Sequence, residues 1–161
     1  MPKASLPHIP PLNVPHREQI QASDCLAACV AMVLDYLSRP VSYPQLLSLL
    51  QIGLLGAPRR NVLRLTRLGL DVTYREATLS LIVAYLQASQ PVIVFVDTGE
   101  LAYWPVATNH AVVVIGLDPE HVIVNDPAFA SAPQRIPRGE FELAWLNCDN
   151  ACAVVNVQAP V

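Results

Sequence analysis

The residues with the clearest chemical potential are a cysteine, a histidine, a carboxylate and an amide, which together can carry out nucleophilic acyl chemistry. Cys25 closes the stretch Gln19-Ile20-Gln21-Ala22-Ser23-Asp24-Cys25, a polar turn that runs straight into an apolar segment reaching Leu37. Leu26, Cys29, Val30, Val33, Leu34 and Leu37 recur at helical spacing, and Ser23 or Asp24 is positioned to cap the first turn. A thiol at that point meets the positive end of the helix dipole, which favours the thiolate, the nucleophilic form.

A cysteine nucleophile needs an imidazole to take its proton and return it to a leaving group. His8 and His16 lie in or just after a proline-rich arm, and His121 opens a strand beside Glu120. His110 differs, because it follows Asn109 at the mouth of the apolar run His110–Ile115, where a polar ring is costly to bury without a partner. A second apolar run, His121–Asn125, follows a turn at Asp118-Pro119 and leads into Asn125-Asp126-Pro127. Paired as an antiparallel hairpin, the start of the first strand lies beside the end of the second, which brings Asp126 to His110 as the group that orients its ring. Each residue also has an ordinary reading: a strand-end histidine as a structural hydrogen-bonder, an aspartate before proline as a turn former. Gln19 can fold its amide toward the thiol beside the Cys25 N–H as an oxyanion donor, with Gln21 as the competing choice.

These residues must be positioned by the elements around them. After the central helix, Ser42-Tyr43-Pro44 opens a second helix with Leu46, Leu47, Leu49 and Leu50 on its apolar side. Pro58 opens a third, with Val62, Leu63, Leu65 and Leu68 as apolar positions and Gly69 as its stop. Leu70–Arg75 alternates as a strand, Thr78 caps a fourth helix to about Gln87, and Pro91–Val96 reads as a strand covered on both faces. A short helix within Pro137–Trp145 and a closing strand Ala151–Val157 complete the chain. Helices come first and strands later, without βαβ alternation, so the expectation is an α+β fold with an N-terminal helical layer on an antiparallel sheet. Residues 1–15 carry five prolines, at 2, 7, 10, 11 and 15, so the chain is expected to begin as an extended arm over 1–13, leaving 14–161 as one domain.

The 161 residues, 53% hydrophobic and 14% charged, can bury a core without staples. A net charge of −3 without a basic stripe argues against nucleic acid. No apolar run is long enough for a membrane span, and no cofactor is called for. The chain as written reads as cytoplasmic, or as secreted if a leader preceded it. Cys25 and Cys29 share a spacing with Cys148 and Cys152, which leaves a four-thiolate zinc site open beside the simpler reading of small buried hydrophobes.

In order and local context, these residues resemble the papain-like cysteine peptidases that process bacteriocins at double-glycine leaders, and their free-standing relatives. The resemblance rests on Gln19 six positions before Cys25, on Asp24-Cys25 followed by Ala27-Ala28-Cys29-Val30-Ala31-Met32-Val33-Leu34, on His110 to Gly116, and on Asn125-Asp126-Pro127. Val14-Pro15-His16, Gln90-Pro91-Val92-Ile93 and Phe141 to Trp145 are softer matches, and the likeness spans roughly residues 14 to 157. It implies a papain-like fold, Cys25 as nucleophile, His110 as base, Asp126 as orienter and Gln19 in the oxyanion hole. It also implies a peptide or protein substrate cleaved through a thioester. Many members have glycine after the cysteine, and here Leu26 stands there; Leu26 and Asn109 are the expected substrate contacts. Transfer to an amine instead of water, or peptide binding without cleavage, are the alternative activities of the same scaffold.

Overall fold

The computed structural model describes residues 5–158. Its helices and strands follow in the order α1 (Cys25–Tyr36), α2 (Tyr43–Leu49), a 3-10 helix (Arg59–Leu68), β1 (Leu70–Glu76), α3 (Leu79–Gln87), β2 (Val92–Asp97), a single 3-10 turn (Thr98–Glu100), β3 (Asn109–Leu117), β4 (His121–Asn125), β5 (Gln134–Pro137), α4 (Arg138–Leu146) and β6 (Ala151–Val157). The six strands form one sheet in the order β1-β6-β2-β3-β4-β5, with every neighbouring pair antiparallel.

Side-chain alternation divides the core in two. Ile93, Phe95, Ala111, Val113, Ile115 and Ala153 face α1, α2 and the 3-10 helix. Val94, Val96, Val112, Val114, Val124 and Val154 face the opposite way, toward Ile82 and Leu86 of α3 and Phe141 and Trp145 of α4. The central strands therefore bury both faces, which is why they read as continuous valine- and isoleucine-rich runs. The expected N-terminal helical layer covers one face of the sheet, and α3 with α4 supplies cover for the other.

α1 runs through the first of these cores. Every residue from Leu26 to Leu34 is buried, so the helix is enclosed all round instead of presenting a single apolar face. Asp24 is its N-cap residue but caps nothing with its side chain. Its carboxylate turns back, accepting from the Gln21 N–H at 3.1 Å and from the Ser23 hydroxyl at 3.4 Å, and so braces the turn before Cys25. The capping expected of Ser23 or Asp24 is thus replaced by a fixed approach to the helix.

The segment after Pro58 is 3-10 rather than α, and Gly69 ends it in the left-handed conformation at φ 74°. Its buried residues, Val62 and Leu65, are three apart, matching the tighter period, while Leu63 and Leu68 point to solvent. β5 escapes the strand pattern because Pro133 and Pro137 bracket it, as suits an edge strand. The described part of the N-terminal arm lies along β3: Ile9 exchanges backbone hydrogen bonds with Leu117 at 2.8 and 3.0 Å, and the Leu12 N–H donates to Ile115 at 2.8 Å. Gly116 permits that approach, since a Cβ there would sit 2.8 Å from the Ile9 carbonyl oxygen.

Candidate active site

Cys25 is the first residue of α1 and is only partly buried, lining a cleft of about 400 Å³ between α1, the loop before the 3-10 helix, the latter half of β2 and the start of β3. Leu26, Asn109 and His110 also line this cleft. Among the four cysteines the placement separates one from the rest. Cys29 has no exposed surface, and burial together with the charges of Cys25 and Asp126 pushes its thiol up; burial also raises Cys148 and Cys152.

β3 delivers His110 with 5% of its surface exposed. The hairpin forms as expected, but Asn125 lies across from Val113, so β4 stops short of His110. Asp126, one residue past the strand, nevertheless reaches the ring: His110 Nε2 donates to Asp126 Oδ1 at 2.7 Å. That bond leaves Nδ1 as the second ring nitrogen, and the Cys25 thiol lines the same cleft as the ring. Burial pulls the imidazole toward its neutral form, but the hydrogen bonds and charges of Asp126 and Cys25 outweigh it, raising the pKa from 6.5 to about 9.

Asp126 is completely buried, and burial alone would raise its pKa. The His110 hydrogen bond and charge, with further donors, hold it below the usual carboxylate range. Oδ1 also accepts from the Ala128 N–H at 2.9 Å, while Oδ2 accepts from the Tyr103 hydroxyl at 2.7 Å and the Trp104 indole N–H at 2.9 Å. Trp104 stands edge-on to His110 with centroids 4.6 Å apart, and Phe129 packs against both Tyr103 and Trp104 at 5.3 Å. Sequence reasoning passed over Tyr103, Trp104 and Phe129. They sit in loops with no diagnostic spacing, and the only available signal was a Tyr-Trp pair between two buried strands. Thr98 fixes the first of these loops, donating to the Val106 carbonyl at 2.8 Å and accepting from the Thr108 N–H at 2.8 Å.

Gln19 is tied to the segment that carries Asp126, its N–H donating to the Pro127 carbonyl at 2.8 Å. Its amide Nε2 faces the Ala22 carbonyl at a long 3.3 Å, and its Oε1 is buried without a partner, so the amide is only weakly committed. Gln21 is exposed and uses its backbone N–H on Asp24. Leu26, 4% exposed, and Asn109, exposed and accepting from the Cys148 thiol at 3.8 Å, both border the cleft.

The four-thiolate arrangement does not form: Cys29 packs in the core on the α1 face of the sheet and Cys152 in the core on the other. Among the described residues no group of three or more His, Cys, Asp or Glu side chains is arranged to hold a metal ion. None of their helices is long and apolar enough to cross a membrane.

Comparison with known proteins agrees with this fold. A C39-like peptidase from Bacillus anthracis superposes with a TM-score of 0.78 at 19% identity, over 95% of this chain and 98% of that one. The peptidase domain of Streptococcus ComA, a bifunctional ABC transporter of a quorum-sensing pathway, gives 0.73 at 22% identity over 89% and 98%. A double-glycine-motif protease from an AMS/PCAT transporter, solved with its leader peptide, gives 0.69 at 25% identity over 92% and 94%. No curated protein sequence matches the chain significantly. The Peptidase_C39 like family model matches residues 11–153, nearly the whole chain, and the protein belongs to that family.

Proposed function

We propose that the protein is a cysteine peptidase in which Cys25 attacks a peptide carbonyl, His110 takes the thiol proton and returns it to the leaving amine, and Asp126 holds the ring. The acyl group then rests on sulfur as a thioester until water, activated by the same imidazole, releases it. The Cys25 N–H, free at the start of α1, and the loosely held Gln19 amide are the donors for the oxyanion. Gln19 does not itself line the cleft, so its amide must leave the long contact with Ala22 and turn toward the thiol to reach the developing charge. Leu26 and Asn109, bordering the cleft, contact the substrate on either side of the reacting bond.

The observation that carries this reading is the buried His110 ring, bound through Nε2 to Asp126 at 2.7 Å and lining the same cleft as the Cys25 thiol. A buried imidazole bound to a fully buried carboxylate and facing a cleft thiol is arranged for proton transfer at that thiol. The leader peptide bound to the structural relative supports a polypeptide as the substrate class.

The test is limited alkylation with iodoacetamide followed by peptide mass spectrometry, alongside digestion of a mixed peptide library. Cys25 is expected to label far ahead of Cys29, Cys148 and Cys152, and Cys25→Ala to abolish all cleavage. Labelling of Cys25 no faster than the buried thiols, with no peptide cut, would sink the proposal.

A further inference from the structure

Beyond the cleft lies a second depression of about 420 Å³, lined by Pro58, Arg59, Arg60, Leu63 and Tyr74. It is continuous with the first in two ways. Pro58 and Arg59 border both, and Phe95, on the wall of the cleft, meets Tyr74 of the second groove edge-on at 6.2 Å. A chain lying across Cys25 can therefore pass over Pro58 and Arg59 from one depression into the other.

Of the lysines, arginines, aspartates and glutamates, only Arg59 and Arg60 line that path. Between Asp35 and Asp71 the sequence has no acidic residue but carries Arg39, Arg59, Arg60, Arg64 and Arg67, in a protein whose net charge is −3. Two of these guanidinium groups are engaged. Arg59 donates to the Cys148 carbonyl and to Asp149, the latter at 3.0 Å, and Arg64 donates to the Leu49 carbonyl at 2.6 Å. Arg60 lines the groove, is exposed and meets no carboxylate among the described residues. Beside it Leu63 is 36% exposed, an apolar surface left open on the 3-10 helix.

We propose that this second groove is a substrate subsite, taking an acidic side chain on Arg60 and an apolar one between Leu63 and Tyr74, so that the substrate is an acidic polypeptide bound in extended form. This rests on the peptidase reading, since it assigns the continuation of that cleft. A solvent-facing charge pair contributes modestly and is screened by salt, so the acidic residue is worth about two- to fivefold in affinity.

The test is made on binding, independent of turnover. Two fluorescein-labelled dodecapeptides of alanine, leucine and glycine, one with three glutamates and the other with glutamines in their place, are titrated by anisotropy against Cys25→Ala. The glutamate peptide is expected to bind two- to fivefold more tightly, with the advantage lost in 0.5 M salt and in a Cys25→Ala, Arg60→Gln double variant. It should survive Arg39→Gln, which removes an exposed arginine outside the groove. The same peptide should slow alkylation of Cys25 in the unaltered protein, because the two depressions form one path. Equal affinity for both peptides, a preference that outlives Arg60→Gln, or binding that leaves Cys25 alkylation unchanged would each overturn the subsite. Failure of every peptide to be cleaved would instead count against the peptidase reading and leave these binding results standing.

Discussion

Trp104 engages both members of the His110–Asp126 pair, donating its indole N–H to the carboxylate at 2.9 Å while its ring lies 4.6 Å from the imidazole centroid. With Tyr103 on the same oxygen at 2.7 Å, the carboxylate is held from the side opposite the histidine and kept from water. Removing one donor to a buried charge costs about 1–3 kcal/mol. Trp104→Phe, which keeps a ring against His110 but not the N–H, is expected to lower kcat about tenfold with little change in KM. Steady-state kinetics on a peptide cut by the wild type would show it, and an equal rise in KM would mean that Trp104 touches substrate instead.

Asp126→Asn separates the orienting hydrogen bond from the charge. The amide oxygen can still accept from His110 Nε2, but the negative charge that helps lift the imidazole to about 9 is gone, while burial still favours the neutral ring. The histidine is expected to titrate well below 9, and the basic limb of the kcat/KM profile to move to lower pH with it. Proton NMR of the His110 ring and the pH–rate profile give two readings of the same shift; a limb that stays in place would assign it to another group.

Stability should depend on pH in the same sense. His110 binds its proton more tightly folded, with a pKa of about 9, than unfolded, at 6.5. Between those values the native state holds more protons, so the contribution is complete below pH 6.5 and is lost as pH rises through 9. Asp126 works at the other end: its lowered pKa adds stability above the ordinary carboxylate value, which disappears as pH falls through the folded one. Thermal denaturation from pH 6 to 9 is expected to show a falling Tm in the wild type and a flatter curve in His110→Asn. Parallel curves would rule out His110 as the source of the slope.

How far the chain announced this site depends on how local each signal is. Cys25 at a polar-to-apolar junction, His110 at a strand mouth and Asp126 before a proline are each marked by their immediate neighbours, and hairpin pairing brings the last two together. The match of His110 with Asp126 survives a register that leaves Asn125 opposite Val113, because the side chains span what the backbones do not. Tyr103 and Trp104 gave no such signal: they act on Asp126 from 23 and 22 positions away, across a loop whose shape depends on Thr98. The same limit applies to secondary structure. Period and proline placement identified a helical segment after Pro58, but its 3-10 winding follows from packing Val62 and Leu65 three residues apart against the sheet. β5, bracketed by prolines, takes its strand form from pairing with β4.

Leu26 offers the last prediction, because it stands one residue after Cys25, 4% exposed, and lines the cleft. Its side chain packs in the core beneath α1 while its outer edge limits the room beside the Cys25 thiol. Leu26→Gly removes a buried side chain, at about 2–5 kcal/mol, and adds the cost of glycine in a helix, about 1 kcal/mol. Leu26→Ala avoids the second cost and is the better probe. It is expected to lower Tm while widening the set of residues accepted at the scissile bond, with KM falling for bulky side chains and Cys25 alkylation unchanged. A library digest by the wild type and Leu26→Ala, read by mass spectrometry, compares the two specificities directly. Identical cleavage preferences with only the loss in Tm would make Leu26 a packing residue and leave Asn109, which also lines the cleft, as the remaining candidate for substrate selection.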